Sequence, residues 1–477
     1  MGCIVLRYLA CSVLLFTAVT ALAAEGDLDP SFGTNGILRV GVAADTISFP
    51  VGPVSQADGK ILACFVDTAD DGTILTDLYR LNPDGSPDTA FGDGGRVNAQ
   101  MDGFIDLSAT YSCVVPAPQS DGKILVIARG FASDQAVYPE MQVTRLESDG
   151  TRDLDFGEAG TAHVHGSADR PSDPSGFVVQ PDDAIVLGLY TASQNGLTLM
   201  RLHPDGSVDA SFGTDGAVTV SFPGTSYAGL FVASLDATGR ILLIGFTVPD
   251  GASHHFFAAA RLLPNGTLDT SFGTGGFASV DVYRLDGTPS LALVQDDGRI
   301  ILAGTAFDVI AGPVWPGYVV AVGLHDDGTL DASFGDGGMT FVRIDPVENV
   351  APEIWGGLVR PDGKIMLVGA GRTDQASKAL VVQLDRDGRA DTDFGTDGVR
   401  LFDIMPGPLM QQRFTGIASQ GSNDLVFGNA LAVPAESTVE GSVDNVFAVR
   451  LEGQTQPTPG HSQHARPLVR TVDAGMR

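Results

Sequence analysis

Apolar residues along this chain come in short runs separated by turn formers, and no stretch carries the three-and-four spacing of an amphipathic helix. Runs such as Ile241 to Gly245 and Ile365 to Gly369 are apolar at consecutive positions, which predicts short strands covered on both faces. One order of elements recurs and is clearest between Leu291 and Gly338. A first strand ends at Gln295, and an Asp-Gly turn at Asp297 and Gly298 leads into a second strand, Arg299 to Gly304. A third strand ends at Leu324, and a fourth follows Gly338.

The punctuation repeats as well. The segment Gly-x-x-Asp-x-x-Phe-Gly, seen at Gly206 to Gly213, places its aromatic at Phe32, Phe91, Phe156, Phe212, Phe272, Phe334 and Phe394, with successive intervals of 59, 65, 56, 60, 62 and 60 residues. A period near sixty marks a repeat array, and consecutive apolar positions suit radially stacked blades better than the strict alternation of a sandwich. The first copy starts at Gly26 and supplies only a fourth strand, Ile37 to Val40. The last unit stops at its third strand, Val446 to Leu451. Pairing these two would remove two open sheet edges. The expected fold is therefore all-β: a seven-bladed β-propeller of four-stranded units over residues 24–453, closed by the N-terminal strand.

Composition agrees with that picture and narrows the partners. The chain has 477 residues, 43% of them hydrophobic, with 60 Gly and 27 Pro, enough for a core and many tight turns. A formal net charge of -30 repels phosphate backbones and anionic lipid, so nucleic acid is not an expected partner. Residues 1–23 read as a secretory signal: Arg7 precedes an apolar stretch from Tyr8 to Val19, and Ala21 and Ala23 frame a small-x-small cleavage site. That stretch is shorter than the roughly 20 residues a spanning helix needs. The protein is thus expected to be exported, to the periplasm or the extracellular medium, without membrane insertion and as a monomer. Of four cysteines only Cys64 and Cys113 survive cleavage, and two unbridged buried thiols are expected in preference to a disulfide. Residues 454–477 bear Pro and Gln with no apolar run and read as a disordered tail.

The Asp-Gly turns, the Asp-x-x-Phe-Gly segments and the Gln-x-Asp-Gly-Lys-Ile segments resemble the bacterial delta-60 repeat family. The last appears as Gln119 to Ile124 and, with Arg in place of Gln, as Arg360 to Ile365. Departures fall at Asp183 and Ala184, at Thr238 to Arg240 and at Ser422 to Asp424. The resemblance covers Gly26 to about Leu451. It implies an exported bacterial propeller-like protein and transfers no activity or site residue.

Candidate chemistry is sparse. Asp385, Asp387 and Asp391 have a spacing reminiscent of a calcium loop, but the bidentate Glu is missing and a solvated turn is expected, with no cofactor. His163 and His165 would share a strand face without a third ligand, and His254 and His255 would point apart. No Gly-x-Ser-x-Gly elbow, phosphate loop, Cys-x-x-Cys pair or His-Glu-x-x-His helix occurs after residue 23.

Loop variability within the chain gives the positive signal. Connections between first and second strands, and between third and fourth, are nearly uniform, whereas the second-to-third and fourth-to-first connections vary in length and emerge on one face. Function tends to sit on variable loops held by a rigid scaffold. On that face Tyr283, Arg284, Trp315, Tyr318, Glu353 and Trp355 are the candidate ligand-binding residues, since aromatics and Arg commonly anchor recognition. The expected function is a non-enzymatic binding or scaffold module for a protein, peptide or glycan. The alternatives are an enzyme of hydrolase or lyase type with a site in the central funnel, or a purely structural cell-surface protein. Polar groups converging at the tops of the first strands would favour the enzyme, and a flat aromatic face would favour binding.

Overall fold

The computed structural model describes residues 24–40, 48–68, 74–98, 114–130, 140–165, 174–190, 196–283, 285–308, 317–344, 350–372, 376–405, 410–432 and 444–453. The expected signal (1–23) and tail (454–477) lie outside them.

Strands follow the predicted order closely. After β1 (Ile37–Val40) comes a four-stranded sheet of β2 (Ser48–Ser55), β3 (Ile61–Thr68), β4 (Ile74–Leu81) and β5 (Arg96–Asn98). The next is β6 (Val114–Pro118), β7 (Ile124–Gly130), β8 (Glu140–Leu146) and β9 (Thr161–His165). A third comprises β10 (Pro174–Val179), β11 (Ile185–Tyr190), β12 (Gly196–Leu202) and β13 (Ala217–Ser221). Then follow β14 (Thr225–Leu235), β15 (Ile241–Pro249), β16 (Phe256–Leu262) and β17 (Phe277–Val280). The fifth is β18 (Asp286–Val294), β19 (Ile300–Phe307), β20 (Gly317–Leu324) and β21 (Met339–Val342). Last come β22 (Ala351–Val359), β23 (Ile365–Arg372), β24 (Ser377–Leu384), β25 (Val399–Phe402), β26 (Met410–Gln420), β27 (Asn423–Ala432) and β28 (Asp444–Leu451).

The expectation of seven separate blades is corrected by the hydrogen bonding of these last strands. Five discrete four-stranded blades are present, and the remaining eight strands, β22 to β28 with β1, form one sheet. The join is a parallel bridge between Ser377 of β24 and Gln411 of β26. Ser377 Oγ donates to the Gln412 carbonyl (3.0 Å) and accepts the Gln412 N–H (2.9 Å). Gln412 is itself buried, its amide donating to Asp403 Oδ1. A polar contact thus continues the sheet where apolar side chains would otherwise separate two blades.

Within that sheet β1 runs antiparallel to β28, pairing Ile37 with Val449 and Val40 with Val446. First strands meet around the centre: β2 touches β6 and β26, β10 touches β14, and β22 touches β18 and β26. The sheets beginning at β6 and β10 share one core containing Ile124, Phe156, Ile185 and Met200. At one level three first strands approach closely through glycine. A Cβ on Gly356 would lie 3.1 Å from Gly416 Cα, and one on Gly416 would lie 2.6 Å from Gly52 O.

The repeated residues explain how units join. Each repeated Phe is fully buried. Its ring occupies the space a Cβ would need on a turn Gly of the next unit: Phe272 lies under Gly328 and Phe334 under Gly388, each after an Asp, and Phe394 under Gly26, after Glu25. Those glycines have φ near +81° to +90°, where L side chains are strained, so the turn and the contact select the same residue. An Arg on the third strand completes the junction. Arg201 Nε donates to Asp209 Oδ2 (2.6 Å), its guanidinium lies 4.8 Å from the Phe212 ring centroid, and Nη1 donates to Pro264 O of the next unit (2.7 Å). Arg80, Arg145, Arg261 and Arg450 repeat this with Asp88, Asp153, Asp269 and Asp29. Where Gly323 takes the position, Arg299, immediately before β19, pairs with Asp331 instead (2.7 Å).

Candidate functional site

The repeated carboxylates are consumed by the scaffold. In Asp209 one oxygen accepts the Ser211 N–H (2.9 Å) and hydroxyl (2.6 Å) while the other accepts Arg201. Burial pushes its pKa up, but these donors outweigh it and hold the carboxyl at about 2. Asp385 accepts the Arg389 N–H (2.8 Å), and Asp391 accepts Gln383 and Lys364 at 2.8 Å each. The calcium-like spacing therefore spreads over separate partners. Among the described residues no three His, Cys, Asp or Glu side chains cluster as a metal site. His163 is exposed on β9. His254 meets Asp281 (3.1 Å) and His255 meets Asp286 (2.9 Å), each His with its own acid. Cys64 is disulfide-bonded, which corrects the expectation of an unbridged thiol there, and Cys113 lies outside the described residues.

The candidate ligand residues fall into two groups. Arg284 and Trp315 lie outside the described residues. Tyr283 is 63% exposed with φ +57°, a left-handed conformation rare for a bulky side chain. Its ring centroid lies 5.3 Å from Phe341, which in turn meets Tyr318 at 6.2 Å. Glu353 and Trp355 sit elsewhere, on β22, and no ring contact or hydrogen bond among those described links the two groups.

Around Glu353 the structure forms a polar pocket of about 40 Å³ lined by Glu353, Ala370, Arg372, Ser377, Gln411, Arg413 and Asn429. It lies at the starts of β22, β24 and β26 and the ends of β23 and β27, beside the sheet join and at the end from which the variable connections leave. Arg372 Nη1 donates to Glu353 Oε1 (2.6 Å). Arg413 Nε donates to Asn429 Oδ1 (2.9 Å), and its guanidinium lies 5.3 Å from the Trp355 ring. The Trp355 Nε1–H is buried without a hydrogen-bond partner among the described residues. The volume has room for about three waters or one small polar group and not for a whole sugar ring.

Of the sequence candidates Glu353 lines this pocket and Trp355 lies on the same strand, whereas Arg372, Ser377, Gln411, Arg413 and Asn429 were not singled out by the sequence. They occupy positions that differ from unit to unit, and only the fold gathers them.

Five stretches, residues 56–91, 119–156, 180–212, 237–272 and 360–394, match the family described as a β-propeller domain of unknown function, DUF5122. The chain is a β-propeller repeat protein. No curated protein matches it in sequence. Among solved structures it is similar to an α-L-arabinofuranosidase, Arb93A, of Fusarium graminearum in complex with an iminosugar inhibitor (10% identity, covering 73% of this chain and 94% of that one, TM-score 0.43). It is also similar to the polysaccharide lyase Uly1 (11%, 90% and 97%, 0.45) and to the Nup133 β-propeller domain of Vanderwaltozyma polyspora (9%, 87% and 100%, 0.37).

Proposed function

We propose that this chain is an exported delta-60 repeat propeller, monomeric and outside the cytoplasm, that binds a protein, peptide or glycan through its variable-loop face. The pocket beside Trp355 is the anchor. The observation that carries the reading is a small cavity ringed by amide, hydroxyl, guanidinium and carboxylate groups, one of whose rim residues, Arg413, lies over the ring of Trp355 with its buried, unpartnered N–H. Such a cavity takes one acceptor-bearing group of a larger ligand, whose remainder lies over the loops. Glu353 is held by Arg372, which suits recognition more than proton transfer. No helix among the described residues is long and apolar enough to cross a membrane, which leaves strand-based crossing unaddressed.

The test is a glycan array and a pull-down with the exported protein, repeated with Trp355→Phe, which keeps the ring and removes the donor. A loss of binding of about tenfold is expected with the fold unchanged. Unchanged binding, together with loss on mutating the uniform-face residue Asp209 in folded protein, overturns the assignment. Loss on chelation alone brings calcium into the site.

One observation favours a second reading, an enzyme of hydrolase or lyase type: Glu353, Gln411 and Arg413 converge at the tops of two first strands. Turnover of a bound glycan that disappears in Glu353→Gln while binding persists would establish it.

A further inference from the structure

We propose that the pocket beside the sheet join takes the carboxylate of a uronate residue in an acidic glycan. This rests on the binding reading and names the group that enters. Two units build the cavity in register. Glu353 lies opposite Ala370 in one and Arg413 opposite Asn429 in the next, and in both the register shifts immediately afterwards, between Ile354 and Gly356 and between Phe414 and Gly416. The matching pair one unit earlier is Thr288 and Thr305. The repeat therefore does not require charge at this level, and neither Glu353 nor Arg413 belongs to the Asp, Arg and Phe junctions that hold units together.

Charge in the cavity runs against that of the chain. Acidic residues outnumber basic ones 58 to 28 overall, whereas the lining sets Arg372 and Arg413 against Glu353 alone. Arg372 engages only Nη1, which donates to Glu353 Oε1 (2.6 Å), and its other nitrogens have no hydrogen-bond partner among the described residues. Arg413 is steadied by Asn429 Oδ1 (2.9 Å) and by the Trp355 ring, 5.3 Å from its guanidinium. A planar guanidinium matches a carboxylate in both shape and charge, and such bonds are shorter and stronger than those to a neutral acceptor.

The other groups of the lining favour a sugar. The Ser377 hydroxyl is engaged with Gln412, but Glu353 Oε2 and the Gln411 amide have no hydrogen-bond partner among the described residues. A uronate carries its carboxylate on a ring with hydroxyl groups beside it, so the carboxylate faces Arg372 and Arg413 while one hydroxyl donates to Glu353 and another meets Gln411. A glutamate side chain or a chain terminus brings no such hydroxyl and leaves Glu353 opposed by like charge. A cavity of about 40 Å³ admits the carboxylate and leaves the ring at its mouth.

The experiment titrates the full chain at about pH 7 and low salt with oligomers of galacturonate, glucuronate and mannuronate, each as free acid and as methyl ester, and with oligoglutamate. The ester keeps ring and hydroxyls and removes the charge. At least one free acid is expected to bind about tenfold more tightly than its ester. The Arg372 side chain is 48% exposed, so Arg372→Gln should leave the melt unchanged while bringing that acid down to the level of its ester. A preference for the acid that survives in Arg372→Gln overturns the pocket as its seat. Acid and ester bound equally, with both weakened by Trp355→Phe, overturns this inference and leaves the binding reading in place. Oligoglutamate bound as tightly as the best uronate, with the same dependence on Arg372, overturns the glycan in favour of an acidic peptide. If no probe binds, this inference falls, and the binding reading falls with it only where the glycan array and pull-down also return nothing that depends on Trp355.

Discussion

Arg450 and Asp29 stand 421 positions apart, and the guanidinium Nε of the first donates to Oδ2 of the second over 2.6 Å. Arg450 also donates to Pro83 O (2.9 Å), so one side chain ties the last strand, the first repeat segment and the following unit. Deleting residues 24–40 removes β1, Glu25, Asp27 and Asp29 together. It exposes the edge of β28 and leaves Arg360, Arg400 and Arg450 without those carboxylate partners. Thermal melts should show loss of the cooperative transition or a fall of more than 10 °C, whereas deletion of 454–477 should move it little. A larger effect from the tail deletion would mean that β1 does not close the fold.

Phe272 is fully buried against Gly328 of the next unit, with Arg261 4.7 Å above its ring. Phe272→Ala should cost about 3 to 5 kcal/mol, because the cavity lies between two sheets that cannot both collapse into it. Urea unfolding measures this. A loss under about 1 kcal/mol would remove the structural role of the repeated aromatic.

Arg261 is 1% exposed and holds Asp269 (2.8 Å) and the carbonyl of Asp326. Arg261→Met keeps much of the apolar stem and strands the buried carboxylate. A destabilisation of about 3 to 5 kcal/mol is expected, with the same denaturation assay as the check. If Arg261→Met and Phe272→Ala are combined, their effects should fall short of additive, since both remove the same guanidinium-ring contact.

Acid should unfold the protein within a defined window. Burial raises the pKa of Asp209, Asp269 and Asp331, but their Ser and Arg donors prevail and hold all three below the ordinary carboxylate value. A depressed folded pKa adds stability above the unfolded value, near 3.9, and that stability is lost as pH falls toward the folded one, about 2 for Asp209. Asp424 opposes them, because burial pushes its carboxyl up despite Arg360. With the depressed carboxylates in the majority, the melting temperature should fall steeply between about pH 4 and 2 and stay nearly level from 5 to 7. A decline centred above pH 5 would contradict the assignment.

Much of the strand order was legible because each repeated residue does one job in every unit. The Gly and Phe spacing marks turns and buried contacts, and Ile37 to Val40 was recognisable as an unpaired fourth strand. The Arg staple was equally periodic, eight positions before the Asp in Arg201 and Asp209 as in Arg261 and Asp269, yet it was passed over. A charged side chain on a buried strand reads as surface until its partner is seen. The joining of β24 to β26 had no such signal, since one bridge at Ser377 and Gln411 leaves the apolar pattern untouched. Of the pocket's lining only Glu353 was singled out by the sequence. Glu353 and Trp355 stood out by type, whereas Arg372, Gln411 and Arg413 gain meaning only from meeting across two units.

The charge reversal between Arg360 and Asp424 bears on how such a chain can be inherited. Gln56 and Lys60, Gln119 and Lys123, and Gln295 and Arg299 keep one polarity at the turn into the second strand, and where Asp236 replaces the Gln it is met by Arg240 of its own turn. At Arg360 and Asp424 a cation replaces the Gln and an acid replaces the Lys, and Glu25 from the opposite end of the gene product completes the set. A crossover that separated Arg360 from Asp424 would bury one charge without its counterpart, so gain or loss of whole repeats is steered away from the place where the ring is keyed shut.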